Sequence, residues 1–330
     1  MSWRSASLPD KTDLLNTGSH SPTIRPPRPP SLCITMARMA NRRLIWQIQN
    51  RTLDLAERPL VMGIVNVTPD SFSDGGNHAS VAAAVAHGLR LVEQGADLLD
   101  IGGESSRPGA EPVEANEEID RVVPVVAELA RQVSVPISID TYKAVTAQHC
   151  LHAGAAIIND ISALRDPEMA PLAARTGAGV ILMHMQGTPA TMQQSPQYEN
   201  VVAEVGEFFQ ARLQASLNKG IAVEQVVFDP GIGFGKKTEH NLMLLARLAE
   251  FQKLGRPIVL GVSRKGLLGR LLDRPVEKRL AGSLAVACDA LSQGSAQVLR
   301  VHDVEETRDA VIILTAICRF RENVRSDTEV

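Results

Sequence analysis

Residues 97–109 read DLLDIGGESSRPG: a short run rich in leucine and isoleucine that stops at two glycines and a polar segment. A run this short, unbroken by alternation and bounded by glycine, reads as a strand buried on both faces. The same pattern recurs on either side. Runs at 60–65, 136–139, 156–158, 180–183, 226–228, 258–260 and 297–301 also end in glycine or polar residues. Between them lie stretches with apolar residues at helical spacing, among them 81–93, 117–132, 201–217, 278–291 and 305–319. Parallel strands need long crossovers, and a helix usually supplies them. Eight such units in succession predict an α/β chain closed as a (β/α)8 TIM barrel. An open doubly wound sheet is the competing reading. Against it, no GxGxxG follows the first run, and eight units are what closure requires.

Outside the repeating region the chain changes character. Residues 45–55 read as two short strands forming a hairpin. Residues 1–43 hold seven basic residues against two acidic ones and crowd five prolines between Pro22 and Pro30. Such a segment buries too little apolar surface to offset its ordering entropy and is expected to be disordered. A transit peptide and a later start at Met36 or Met39 both fit it. The expected organisation is a basic extension at 1–43, a hairpin at 44–58, the barrel at 59–322 and a C-terminal tail at 323–330.

The 330 residues carry a formal charge of −3 and are 44% hydrophobic, an ordinary globular composition. The slight acidity argues against a general nucleic-acid binder. No apolar run reaches the roughly 18 residues of a membrane helix. Cys33, Cys150, Cys288 and Cys318 lie far apart with no CxxC pair. That suits a reducing compartment, so a cytoplasmic location is expected.

In a barrel of this kind the chemistry sits at the C-terminal ends of the strands. Here those ends hold Asn66, Asp140, Asn159, His184, Asp229, Lys265, Arg300 and His302. Helix capping accounts for Ser162, Asp166 and Asp303. It does not account for cations and several acids converging on one mouth. Asp140, Asn159, Asp229 and Lys265 offer the acceptors, donors and cation that suit a flat heterocycle with an amino-pyrimidinone edge. Arg107, Arg300 and His302 suit an anionic group such as a diphosphate. The Arg300 plane also suits stacking on the heterocycle. Asn66 could ligate a hard cation through its amide oxygen.

The strings NVTPDSFSDGG (66–76), DIGGESSRPG (100–109), IDTYK (139–143), INDI (158–161), MHMQG (183–187), DPGIGFGK (229–236), GVSRK (261–265) and RVHDV (300–304) occur in this order. In that order they resemble the dihydropteroate synthase family over residues 59–320. The resemblance implies a homodimeric transferase of folate synthesis. It joins para-aminobenzoate to 6-hydroxymethyl-7,8-dihydropterin diphosphate with loss of diphosphate, uses Mg2+, and is a sulfonamide target. It implies that Asp140, Asn159, Asp229 and Lys265 bind the pterin, with Arg300 stacked on the ring and touching phosphate. Asn66, Arg107, Arg300 and His302 would hold the diphosphate, with Mg2+ at Asn66. Ser106, Pro108, Phe234 and Gly266 would line the para-aminobenzoate pocket. The loops 66–76 and 104–110 would close over the site, and Asp74 would shield the developing cation or simply serve its own turn. His184 is expected to be structural, satisfied by a neighbour. The chain departs from the family at Ser106 (usually Thr), Ile232 (often Phe) and Gly266 (often Ser), all on the aminobenzoate side. Two other readings share parts of the set: a pterin-binding methyltransferase that serves a corrinoid, and a non-catalytic pterin binder. The helix 278–291, with Leu280, Ala281, Leu284, Ala285, Ala287, Cys288 and Leu291, is apolar over a wider arc than one core-facing stripe requires, which fits a dimer.

Overall fold

The computed structural model describes residues 44–56, 58–67, 76–107 and 109–326, and side chains over the same residues except 76–79 and 322–326. The extension 1–43, Asp74 and Pro108 lie outside the described residues.

The chain opens with an antiparallel hairpin, β1 (Ile45–Ile48) and β2 (Arg51–Asp54). Eight parallel strands follow: β3 (Leu60–Asn66), β4 (Leu98–Gly102), β5 (Ile137–Asp140), β6 (Ile157–Asp160), β7 (Gly179–Met183), β8 (Val226–Asp229), β9 (Val259–Leu260) and β10 (Val298–Val301). The sheet order is β8-β7-β6-β5-β4-β3-β10-β9. A parallel bridge from Phe228 to Ile258 joins the two outer strands, and the Phe228 N–H donates to the Pro257 carbonyl at 2.9 Å. The cylinder therefore closes, as the eight-unit reading requires.

The helices wrap the outside: α1 (Gly76–Glu93), α2 (Ala115–Gln132), α3 (Ala144–Ala153), α4 (Met169–Thr176), α5 (Val201–Asn218), α6 (Thr238–Ala246), α7 (Gly266–Leu272), α8 (Leu280–Ser292) and α9 (Val304–Ser326). Helix α2 shows why they dock: its buried residues Glu118, Val122, Val125, Val126 and Leu129 recur at helical spacing on one stripe. Helix α9 continues to Ser326, so the expected tail boundary at 322/323 falls inside a helix.

Because side chains alternate across a strand, each barrel strand feeds two cores. Val61, Val65, Leu99, Ile101, Ile139 and Leu299 point outward into the helix layer. Met62, Leu98, Ile157, Ile181, Val227, Val259 and Val298 point inward and form one cluster with Trp46 and Ile48 of the hairpin. The hairpin is thus the floor of the barrel. Trp46 is fully buried, and its indole N–H donates to the Gln225 carbonyl at 2.9 Å. Gly179 makes room for it, since a Cβ there would come within 2.9 Å of the indole nitrogen.

Candidate active site

Two residues beyond four of these floor positions, the interior turns polar. Leu98 gives way to Asp100, Ile157 to Asn159, Val227 to Asp229 and Val298 to Arg300. The two-residue period that buries the floor thus aims these groups into the same barrel at its other end. Arg300 ties them together: its Nε donates to Asp100 Oδ2 and its Nη2 to Asp140 Oδ2, both at 2.6 Å. Asn159 Nδ2 donates to the same Asp100 oxygen at 3.0 Å. Among the described residues Asp100 Oδ1 is buried without a partner.

The charge balance shapes the titration. Burial, with Asp100 and Glu118 nearby, pushes Asp140 up to about 7, although Arg300 and Lys265 pull the other way. Burial also raises Asp229 against the Gly231 N–H and Lys265. Burial works against the Arg300 guanidinium, but Asp100, Asp140 and Asp229 more than offset it and hold it charged. Burial and Arg300 bring Lys265 down to about 8, with Asp229 and Asp140 opposing. Burial and the cations Arg300 and Arg264 push His302 down to about 4, so its ring is neutral near pH 7. The ring lies 3.1 Å from Ser263 Oγ through Nδ1.

Lys265 follows Arg264, whose φ of +58° is left-handed. That turn sends Arg264 outward onto the Asp303 carboxylate, with Nε 3.0 Å from Oδ2. Asp303 stands at the expected cap position just before Val304, where its carbonyl accepts from the Thr307 N–H at 3.2 Å, and its carboxylate also serves as this ion partner. Lys265 lies on the inner side of the turn, its ammonium 4.0 Å from the centre of the Phe234 ring. A second group fixes the β4–α2 loop. Lys143 bridges Glu104 and Glu118, with Nζ 2.9 Å from Glu118 Oε2, and Tyr142 donates to Glu104 at 2.7 Å. Thr141 and Thr146 donate to Glu118 as well.

One pocket is lined by Ser106, Asp140, Asn159, Asp229, Phe234, Lys265 and Arg300 among others. These are the expected pterin side and part of the expected aminobenzoate side. Asn66, Arg107, Gly266 and His302 do not line it: the first three are exposed, and His302 is half-buried two residues beyond Arg300. His184 has the neighbouring partner expected of it, its Nδ1 lying 2.9 Å from Lys236 Nζ. Reading strand ends alone missed Asp100, a fully buried acid inside β4, and Lys236, a buried cation outside the pocket lining. The signal for Asp100 was a lone carboxylate at an inward position of an apolar strand. Among the described residues no group of three or more His, Cys, Asp and Glu side chains could hold a metal. Asn66 still fits Mg2+, a cation that keeps waters and takes few protein ligands beside substrate phosphates.

The Pterin binding enzyme family matches residues 62–302. The chain is 48% identical to the dihydropteroate synthase of Escherichia coli (strain K12) over 277 residues, 84% of this chain and 98% of that one. It is 41% identical to that of Bacillus subtilis (strain 168), over 77% of this chain and 87% of the relative. Among solved structures, Yersinia pestis dihydropteroate synthase with a sulfonamide drug complex superposes at a TM-score of 0.78, with 48% identity over 83% of this chain and 98% of that one. The Xanthomonas albilineans enzyme with 4-aminobenzoic acid gives a TM-score of 0.77 at 48% identity, again over 83% and 98%. With its closed barrel and its polar mouth, the chain belongs to the dihydropteroate synthase family of pterin-binding transferases.

Proposed function

We propose that the mouth binds 6-hydroxymethyl-7,8-dihydropterin diphosphate with its ring among Asp140, Asn159, Asp229 and Lys265, and joins it to para-aminobenzoate entering beside Ser106 and Phe234. The observation that carries this is the convergence of those residues with Arg300 on one pocket. A carboxylate accepts two N–H donors from the ring's amidine-like edge, as it does from a guanidinium. Arg300, already held by two carboxylates, presents a fixed plane to the ring and a positive field to the phosphates.

The reaction follows from the leaving group. The bond from the pterin methylene to the diphosphate oxygen breaks, and its electron pair leaves with diphosphate. The cation left behind is delocalised into the electron-rich ring. Arg300 stabilises the departing charge, and His302 and Arg107 meet the same phosphates from the rim. The aminobenzoate nitrogen then forms the new C–N bond and releases a proton. No covalent enzyme intermediate is needed. Mg2+, held at Asn66 and by substrate oxygens, would neutralise further charge on the diphosphate. The carboxylate of the aminobenzoate would meet backbone N–H groups near Gly266, where α7 begins.

Two wider features belong to the same reading. Helix α9 is apolar on two faces: Val311 and Cys318 are buried, while Ile312, Ile313, Ile317 and Phe320 are exposed. A second copy of the chain would cover that outer face, as in a homodimer. The widely spaced cysteines favour a cytoplasmic setting. Sulfonamides would compete for the aminobenzoate side.

The test is a direct assay of purified protein with the two substrates and Mg2+. Formation of 7,8-dihydropteroate and diphosphate is expected. Binding of the pterin diphosphate without turnover would replace this reading with that of a binding protein.

A further inference from the structure

The segment after β8 carries Phe234 into the pocket, and side chains hold it from behind. Gly231, Gly233 and Gly235 have φ of +63°, +87° and +58°, so alternate residues keep the backbone out of helix and strand. Two of them have no room for a side chain. A Cβ at Gly231 would lie 2.0 Å from the His184 carbonyl oxygen, and one at Gly235 2.5 Å from that of Gln186.

The carbonyls of this irregular segment are taken by side-chain donors. The Lys236 ammonium, 1% exposed, donates to Gly231 O at 3.0 Å, Phe234 O at 2.9 Å and His184 O at 3.2 Å. It also meets His184 Nδ1 at 2.9 Å. On the outer side Tyr198 Oη donates to Gly235 O at 2.8 Å and Gln193 Nε2 to Gly233 O at 2.9 Å. Burial brings the Lys236 amine down to about 7 against the pull of Asp229, and a buried amino group is tolerated where its N–H groups find acceptors, as they do here. Asp229 is held separately: its Oδ1 accepts from the Gly231 N–H at 2.7 Å, a local bond that none of the Lys236 donors makes.

We propose that Lys236, with Tyr198 on the outer side, is a positioning residue for the aminobenzoate pocket: it locks residues 231–235 so that the Phe234 ring stands in place before substrate arrives. Nothing in this role requires Lys236 to touch either substrate. The proposal rests on the function proposed above and assigns the pocket wall a device of its own.

The experiment compares full-length wild type with Lys236→Met, Lys236→Arg and Tyr198→Phe. It reads the KM for para-aminobenzoate, the dissociation constant for the pterin diphosphate and the melting temperature. Lys236→Met removes every donor at once and is expected to raise the aminobenzoate KM about tenfold, against less than about threefold for pterin binding. Lys236→Arg should recover part of the loss. Tyr198→Phe removes one outer tether and should shift the aminobenzoate KM by about threefold in the same direction. If Lys236→Met does not fold, Tyr198→Phe decides. A variant that melts lower but leaves both constants unmoved, or raises both together, overturns the positioning role. A wild type without turnover overturns the functional reading and this proposal with it.

Discussion

Lys265 sits against Phe234 with Asp229 and Asp140 facing it, so truncating it strips the mouth of a cation that two acids depend on. Lys265→Ala should weaken pterin diphosphate binding by about 3–5 kcal/mol, the usual cost of breaking a buried charged set, as titration calorimetry would show. Asp140 gives a second prediction. With its carboxyl pushed up to about 7, it is mostly protonated at pH 6 and ionised at pH 8. In the binding mode proposed above the ring's N–H donors need the carboxylate, so affinity should rise as Asp140 ionises. For 6-hydroxymethyl-7,8-dihydropterin, which has no titrating phosphate, affinity should rise several-fold from pH 6 as Asp140 ionises and fall again above about pH 8, where Lys265 loses its proton. Asp140→Asn should flatten that profile; a profile unchanged in the variant assigns the proton elsewhere. Ser106→Thr adds one methyl on the other side of the pocket. It should lower the aminobenzoate KM by at most roughly fourfold, about 0.8 kcal/mol, and leave the pterin constant alone. At this scale the sequence revealed the residues at strand ends, because strand polarity and the two-residue period decide where those point. Asp100 and Lys236 stayed hidden. Their roles depend on partners such as Arg300 and His184, 200 and 52 residues away, whose distance in sequence says nothing of contact.

Among the elements, the eight strands were legible because burial on both faces leaves unbroken apolar runs. The hairpin was legible as two short strands, but its place was not. The contacts that seat it run from Trp46 to Gln225 and from Arg256 to the Ile45 carbonyl, across nearly the whole barrel. Trp46→Ala would leave a large cavity in the floor and should cost about 3–5 kcal/mol in urea unfolding. Since the floor lies at the opposite end from the mouth, both KM values should stay close to wild type. A large change in either would mean that the floor sets the geometry of the site. The short helix α7 shows the same division. Gly266, where it begins, stood out in the sequence, whereas the left-handed conformation of Arg264 did not, because that turn is imposed by Asp303 and Ser283 from neighbouring units.

For the molecule as a whole, the unpartnered face of α9 is the feature that solution behaviour can test. Ile313 is 61% exposed and Phe320 70% exposed on one side of that helix. Ile313→Glu should therefore turn a dimer into a monomer by sedimentation velocity, with the fold intact. A wild type that sediments as a monomer at micromolar concentration would remove the dimer from the account. Deleting residues 1–35 should leave turnover unchanged, since the first site residue is Asn66. The hairpin floor has one more consequence. Trp46, Ile48 and the apolar ring above them seal one end of the barrel, so among the described residues the way in is from the mouth. Both substrates and both products would then pass through the mouth, and a pterin ring bound as proposed among Asp140, Asn159 and Asp229 would sit deepest, where the later arrival cannot slip beneath it. Traffic would then be ordered, with pterin diphosphate entering first and aminobenzoate second, and whatever remains at the threshold would block the next cycle. Free diphosphate, lodged near Arg300 and His302, should thus compete with the incoming pterin diphosphate for the entrance.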